Sequence, residues 1–263
     1  MRGLILSRLT LARGITALTV LLILTLTWSL WSLAVGDLYI MVGTKERRLP
    51  IYSVKTEEKK IAISFDAAWG AEKTPIILDL LDQYDIKTTF FLVTFWVEDY
   101  PEMAKEIINR GHEIGLHSST HPDFRSISNQ QIIEELRTNH AIILETTGHT
   151  PTLFRPPYGA YDDRVLKTVE DNLGYITIQW NVDSLDWKNV TPDFIYNRIM
   201  KLVSPGAIIL FHNNAESTPK ALEKLLPDLI EEGYQIVPIS ELLHQGEYYI
   251  NHEGRQIPKP DTP

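Results

Sequence analysis

The chain has 263 residues, 44% hydrophobic and 22% charged, enough for one large α/β domain and unlike a collagen-like or broadly disordered chain. Its net charge of −9 is unevenly placed: residues 1–36 hold Arg2, Arg8 and Arg13 and no acid, which leaves 22 basic against 34 acidic side chains, a formal −12, on residues 37–263. Such a surface repels a phosphate backbone and shows no basic stripe interleaved with aromatics, so nucleic acid is not an expected partner. With no cysteine, there is no disulfide framework and no thiol nucleophile, and any metal falls to His and carboxylate ligands.

Residues 1–13 carry the three arginines, and from Gly14 to Gly36 no residue is charged. Those 23 positions are long enough for a transmembrane helix and longer than the usual apolar region of a signal peptide. The reading is an uncleaved signal anchor over 14–36, with Ser32 and Ala34 forming the competing small-x-small cleavage site. Arginines ahead of the apolar run put residues 1–13 in the cytoplasm and residues 37 onward outside. The expected localisation is the cell membrane, crossed once, with an extracytoplasmic domain that is soluble and monomeric when freed of its anchor. Residues 37–57, mixed and polar with a basic cluster at Lys45, Arg47 and Arg48, read as a stalk.

From Ile61 onward, short apolar β-rich runs alternate with longer segments of helical period. Strands are predicted near 61–66, 88–93, 112–117, 152–155, 174–180, 207–211 and 234–238. Helices are predicted near 72–84, 99–110, 128–146, 161–172, 192–203 and 217–232, with a short last one from Ser240. Ser128 with Gln131 is a capping box, Thr191-Pro192 supplies an N-cap followed by proline at the first helical position, and Gly111 and Gly233 end helices. The domain proper spans 58–245, and residues 246–263, polar with prolines at 258, 260 and 263, read as a flexible tail.

Seven strands in β-then-α order suit an incomplete TIM-like barrel or an open doubly wound sheet. Asp66, His117, Arg155, Asp183 with Asp186, and His212 each fall at or just past the C-terminal end of a predicted strand. In a barrel those ends converge on the face that carries active sites.

His117 and His121, four apart, would meet on one side of a helical turn as two nitrogen ligands for a metal such as zinc. Asp66, ending Ile61-Ala-Ile-Ser-Phe65, reads either as a helix cap or as a general base for a metal-bound water. In Phe154-Arg-Pro-Pro-Tyr-Gly159 two prolines remove two donors, leaving the Tyr158 and Gly159 amides in a rigid turn suited to an oxyanion. Arg155 is placed to hold a carboxylate such as Asp66 ionised. Asp183 and Asp186 lie between Trp180 and Trp187, and either could raise the pKa of His212, which follows an apolar strand and would protonate a leaving group. His112, His140, His149, His244 and His252 sit in uninformative settings.

Ser64-Phe-Asp66, His117-Ser-Ser-Thr-His121, Arg155-Pro-Pro-Tyr-Gly159, Asp183-Ser-Leu-Asp-Trp187 and Leu210-Phe-His212 resemble, in order and spacing, the five motifs of the polysaccharide deacetylases with the NodB homology domain, carbohydrate esterase family 4. The resemblance covers about 58–245, and the Ser-Phe-Asp-Ala-Ala-Trp-Gly form of the first motif is most similar to the PdaB-type sporulation branch. It implies a distorted (β/α)7 TIM-like barrel that removes acetyl groups from cell-wall amino sugars such as those of peptidoglycan, using one divalent metal, usually zinc. It further implies His117 and His121 as ligands, Asp66 as base, His212 as acid, Arg155 and Asp186 as their tuning partners and the Tyr158 amide as oxyanion donor. Trp69, Pro156, Tyr158 and Trp187 are the expected substrate-binding positions. One departure stands out. Family members read Thr-Phe-Asp-Asp-Gly, with the second Asp a third metal ligand, where this chain has Ala67; Glu72 and Asp123 are the nearby carboxylates that could substitute. A glycan-binding pseudoenzyme and an O-acetyl esterase are therefore the competing expectations.

Overall fold

The computed structural model describes residue 16, residues 18–32 and residues 47–260, in two units that divide after Arg47. In the first unit, residues 18–32 form a helix, α1. Among the described residues no helix is long and apolar enough to cross a membrane, and the rest of the expected 14–36 span lies outside them, as do residues 1–13.

The second unit runs β1 (Ser53–Val54), β2 (Lys60–Ala67), α2 (Thr74–Gln83), β3 (Thr89–Leu92), α3 (Thr94–Asp99), α4 (Pro101–Asn109), β4 (Glu113–Leu116), α5 (Asn129–Thr147), β5 (Leu153–Phe154), α6 (Asp163–Leu173), β6 (Ile176–Thr177), β7 (Val182–Asp183), α7 (Pro192–Leu202), β8 (Ile208–His212), α8 (Thr218–Glu231), β9 (Gln235–Ile236), α9 (Ile239–Leu242), β10 (Tyr248–Ile250) and β11 (Arg255–Pro258). The main sheet is parallel in the order β6-β5-β4-β3-β2-β8-β7, with β9 pairing the start of β2. It is the curled, incomplete barrel of an α/β fold, open between its edge strands β6 and β7.

Side-chain alternation along the strands builds two cores and aims the functional groups. In β2, Ile61, Ile63, Phe65 and Ala67 join the cluster packed against Ile77, Leu78 and Leu81 of α2, while Ala62 joins the inner cluster of Phe91, Leu153 and Ile208. With a period of two, Asp66 shares the inner face with Ala62, His212 shares it with Ile208, and Arg155 with Leu153. Gly115 leaves room there, since a Cβ would meet the Phe91 ring at 2.5 Å.

Four expectations need correction. The segment read as stalk is partly built into the barrel. Ile51 bridges Ile178, accepts from the Gln179 N–H at 2.7 Å, and donates to Thr177 O at 2.9 Å. Ile51 and Val54 are buried, because they fill the seam where the barrel fails to close. The supposed free tail is also structured: β11 pairs with β1 and β10 in a second, three-stranded sheet, with Gln256 buried. The predicted helix at 99–110 is α4, which starts at Pro101, and a separate helix, α3, ends before it at Asp99, because Pro101 disfavours helical backbone at Tyr100. Strand 174–180 shortens to β6, and β7 is an additional strand. The capping box of α5 forms with both of its hydrogen bonds, and Gly148 ends that helix in the left-handed conformation.

Candidate active site

A groove of about 800 Å³ opens at the C-terminal ends of the parallel strands, lined by Asp66, His117, His121, Asp183, Asp186 and His212 among others. Asp66 and His212 are register partners on the paired strands β2 and β8, so the two groups stand side by side.

Arg155 is fully buried and donates from Nη1 to Asp66 Oδ1 at 2.8 Å and from Nη2 to Gln179 O at 3.3 Å, with its guanidinium 4.1 Å from the centre of the Phe91 ring. Burial pushes the Asp66 carboxyl up, but the Arg155 guanidinium, with the charge of His212 and the Arg155 hydrogen bond, outweighs it and holds Asp66 below the usual carboxylate range. It is therefore an ionised acceptor at neutral pH.

His212 and Asp186 form the second pair. The buried Asp186 accepts from His212 through Nδ1 at 2.7 Å and through the backbone N–H at 2.8 Å, and Thr218 Oγ1 donates to it at 2.6 Å. Burial lowers the His212 pKa, but the hydrogen bond and charge of Asp186 more than reverse this, so the imidazole holds its proton to higher pH than usual. Of the two candidate carboxylates, Asp186 makes the contact. Asp183 lines the groove, and its Oδ1 accepts from the Leu185 N–H at 2.8 Å.

The two histidines meet, though not on a helical turn. Residues 117–121 form a loop in which Ser118 and His121 adopt left-handed backbone, with φ of 80° and 60°. Glu135 of α5 holds that loop, accepting from the Ser119 and Thr120 N–H groups at 2.8 and 2.7 Å and from Thr120 Oγ1 at 2.6 Å. The ring centroids of His117 and His121 are 5.0 Å apart. His117 Nδ1 donates to Arg155 O at 2.8 Å, which leaves Nε2 facing Asp66 Oδ2 at 3.5 Å. Burial is the leading cause that lowers both pKa values, that of His121 to about 4, so both rings are neutral and carry a lone pair.

Trp69, Tyr158 and Trp187 rim the groove, each more than half exposed, and Trp69 and Tyr158 flank His121 edge-on at 5.0 and 4.6 Å. The Gly159 N–H is taken by Pro156 O at 3.0 Å, so Tyr158 supplies the remaining amide of the Arg155-Pro-Pro turn. Pro156, expected to touch substrate, is buried and does not line the groove. Its role is to set the turn.

For a metal, the donor set fits in part. The buried Nδ1 of His121 has no hydrogen-bond partner, and the tethered His117 has the carbonyl contact typical of an imidazole ligand. Ala67, however, is fully buried in the helix-facing cluster. Neither substitute carboxylate is free: Asp123 is paired with Arg125 at 2.6 Å, and Glu72 is bonded to the Asn214 side chain and to backbone. Among the described residues no three His, Asp or Glu side chains are grouped to hold a metal. Two imidazoles can hold a divalent ion whose other positions are water, which is weaker than the three protein ligands usual for catalytic zinc.

Sequence reasoning missed the supports behind these groups. Asn139, fully buried in α5, accepts from the His117 N–H at 3.0 Å and donates to Leu92 O at 3.1 Å. Its signal was present, as the lone polar residue in the apolar stripe Ile132, Leu136, Ile143. Gln179, Thr218 and Glu135 carried no local signal.

A curled parallel barrel with a buried Asp–Arg pair, a His–Asp pair and two neutral histidines on one rim has the make-up of a hydrolase site. The family pattern for polysaccharide deacetylase matches residues 53–177. A peptidoglycan-N-acetylglucosamine deacetylase of Bacillus cereus is 38% identical over 197 residues, covering 73% of this chain and 92% of that protein. The peptidoglycan-N-acetylmuramic acid deacetylase PdaA of Bacillus subtilis is 34% identical over 200 residues, covering 74% of this chain and 76% of PdaA. The chain belongs to the polysaccharide deacetylase family. The crystal structure of BA3943 of Bacillus anthracis, described as a CE4 family pseudoenzyme, superposes with a TM-score of 0.72 at 35% identity, over 80% of this chain and 73% of that one. A mutant of BA3943 is described as having restored enzymatic activity. Other curated relatives are longer, and the chain spans 40% to 61% of their length.

Proposed function

We propose that the chain removes N-acetyl groups from cell-wall amino-sugar glycan, peptidoglycan being the substrate class that its relatives' names give. The observation that carries this reading is the pair of acid–base couples, Asp66–Arg155 and His212–Asp186, side by side in one aromatic-rimmed groove. A groove that only binds sugar has no need of a fully buried guanidinium and carboxylate behind two polar groups, given what their desolvation costs.

His117 and His121 would hold a divalent ion, zinc in most of the family, and a bound ion supplies Lewis acidity and a more acidic water. Asp66, kept ionised by Arg155, accepts the proton of the attacking water. The Tyr158 amide faces the charge that develops on the carbonyl oxygen. His212, kept protonated by Asp186, gives its proton to the nitrogen as the C–N bond breaks, releasing acetate and a free amine. Residues 14–36 would anchor this domain outside the membrane, as a monomer, and the form of the first motif favours the PdaB-type sporulation branch.

Ala67 supports a second reading, a glycan-binding pseudoenzyme, and BA3943 is a precedent within the family. Metal content and acetate release, measured together on the full chain with N-acetylglucosamine oligomers, separate the two. Acetate release that rises with added zinc supports the enzyme, whereas oligomer binding without release at saturating metal supports the pseudoenzyme.

A further inference from the structure

The relatives divide between two sugars that differ by one group. N-acetylmuramic acid carries a lactyl ether ending in a carboxylate, and N-acetylglucosamine carries none. Resting on the reading that this groove binds amino-sugar glycan, we propose that it takes uncharged N-acetylhexosamine units and excludes carboxylate-bearing ones, with Asp183 setting that preference.

The charges lining the groove carry the argument. Its lining includes the carboxylates of Asp66, Asp183, Asp186 and Glu216 and no lysine or arginine. Three of the four are paired: Asp66 with Arg155, Asp186 with His212, and Glu216 with Lys73 at 2.8 Å. Asp183 makes no ion pair among the described residues. Its side chain is pinned by the Leu185 N–H at 2.8 Å, and Arg198 Nε goes to its main-chain carbonyl at 2.6 Å. Lys188, the residue after Trp187, holds its ammonium 4.8 Å over the Trp187 ring. A sugar carboxylate seated here meets the unpaired charge of Asp183, while Arg155, His212 and Lys73 are each already engaged by a carboxylate; an acetamide and hydroxyls meet no such penalty.

The test measures binding, so it does not depend on turnover. The full chain is titrated at low ionic strength with an N-acetylglucosamine tetramer, with a tetramer alternating N-acetylglucosamine and N-acetylmuramic acid, and with the latter's carboxamide, which keeps the bulk and loses the charge. The neutral tetramer and the carboxamide should bind alike, and each about tenfold tighter than the acid. That gap should fall below about threefold in Asp183→Asn, which retains an acceptor for the Leu185 N–H, and in 1 M salt, where screening reaches about 3 Å. A carboxamide as weak as the acid would show exclusion by size and overturn the proposal. So would an acid that binds as well as the neutral tetramer, or one whose affinity is lost in Lys188→Gln. If none of the three binds, the glycan reading fails and this inference fails with it.

Discussion

At the scale of single residues, the site is a set of charges placed by strand alternation, and two substitutions probe it. Ala67 is fully buried at the end of β2 in the helix-facing cluster, so Ala67→Asp buries a charge at the position where the family resemblance puts a third metal ligand. Without metal, the variant should lose about 1–3 kcal/mol of stability, the cost of an unsatisfied buried polar group. Zinc should bind it at least tenfold tighter than the natural chain and restore its melting temperature. Thermal melts with and without zinc check this, and an equal zinc shift in both proteins would show that position 67 cannot reach the metal. Asp186→Asn removes the charge that raises His212. In the sequence as it stands His212 is protonated below its raised pKa, so any activity that needs it as an acid falls as pH rises through that value. The alkaline limb of the pH–rate profile should move to lower pH in Asp186→Asn, and an unmoved limb would assign the acid to another group. The residues themselves were legible because ionisable side chains rarely end buried strands without a reason. Their geometry was less so: the histidine pair, spaced for a helical turn, meets through a strained loop that Glu135 holds from a helix distant in sequence.

At the scale of elements, legibility followed length and capping chemistry. The long helix α5 was found with both ends because Ser128, Gln131 and Gly148 act locally, and both halves of the capping box form. Ser128→Ala should cost about 1 kcal/mol, read as a shift in the denaturation midpoint without a change in slope. A larger effect would mean that the α5 start also steadies Glu135, and hence the loop that carries His121. By contrast β1 and β7 have two residues each, too few for alternation to emerge from sequence, and they form because neighbouring strands supply partners. The break at Tyr100 was legible in principle from Pro101, but the six residues of α3 ahead of it were too few for a helical period to emerge.

At the scale of the whole molecule, the segment after Gln245 decides whether the barrel seam stays filled. Its prolines and polarity suggested a free tail, and removing a free tail would change nothing. In the structure β11 pairs with β1, and Gly254 O accepts from the Tyr52 N–H at 2.8 Å. Gln256 O accepts from the Lys55 N–H at 2.9 Å, and the Gln256 side chain bonds the His244 N–H and carbonyl at 2.9 and 3.3 Å. Ending the chain at Gln245 loses those four hydrogen bonds, about 4 kcal/mol at roughly 1 kcal/mol each, and removes Tyr248 and Ile250, which pack against the cluster of Ile51 and Val54. The same segment leads to the active site, because Ile51 O accepts from the Gln179 N–H and Gln179 O accepts from Arg155, the partner of Asp66. Truncation should therefore lower the melting temperature by several degrees and also weaken glycan binding or turnover. A shortened chain as stable as the original would show that the second sheet packs without supporting the barrel. A destabilised chain with unchanged glycan affinity would show that the seam does not communicate with Arg155.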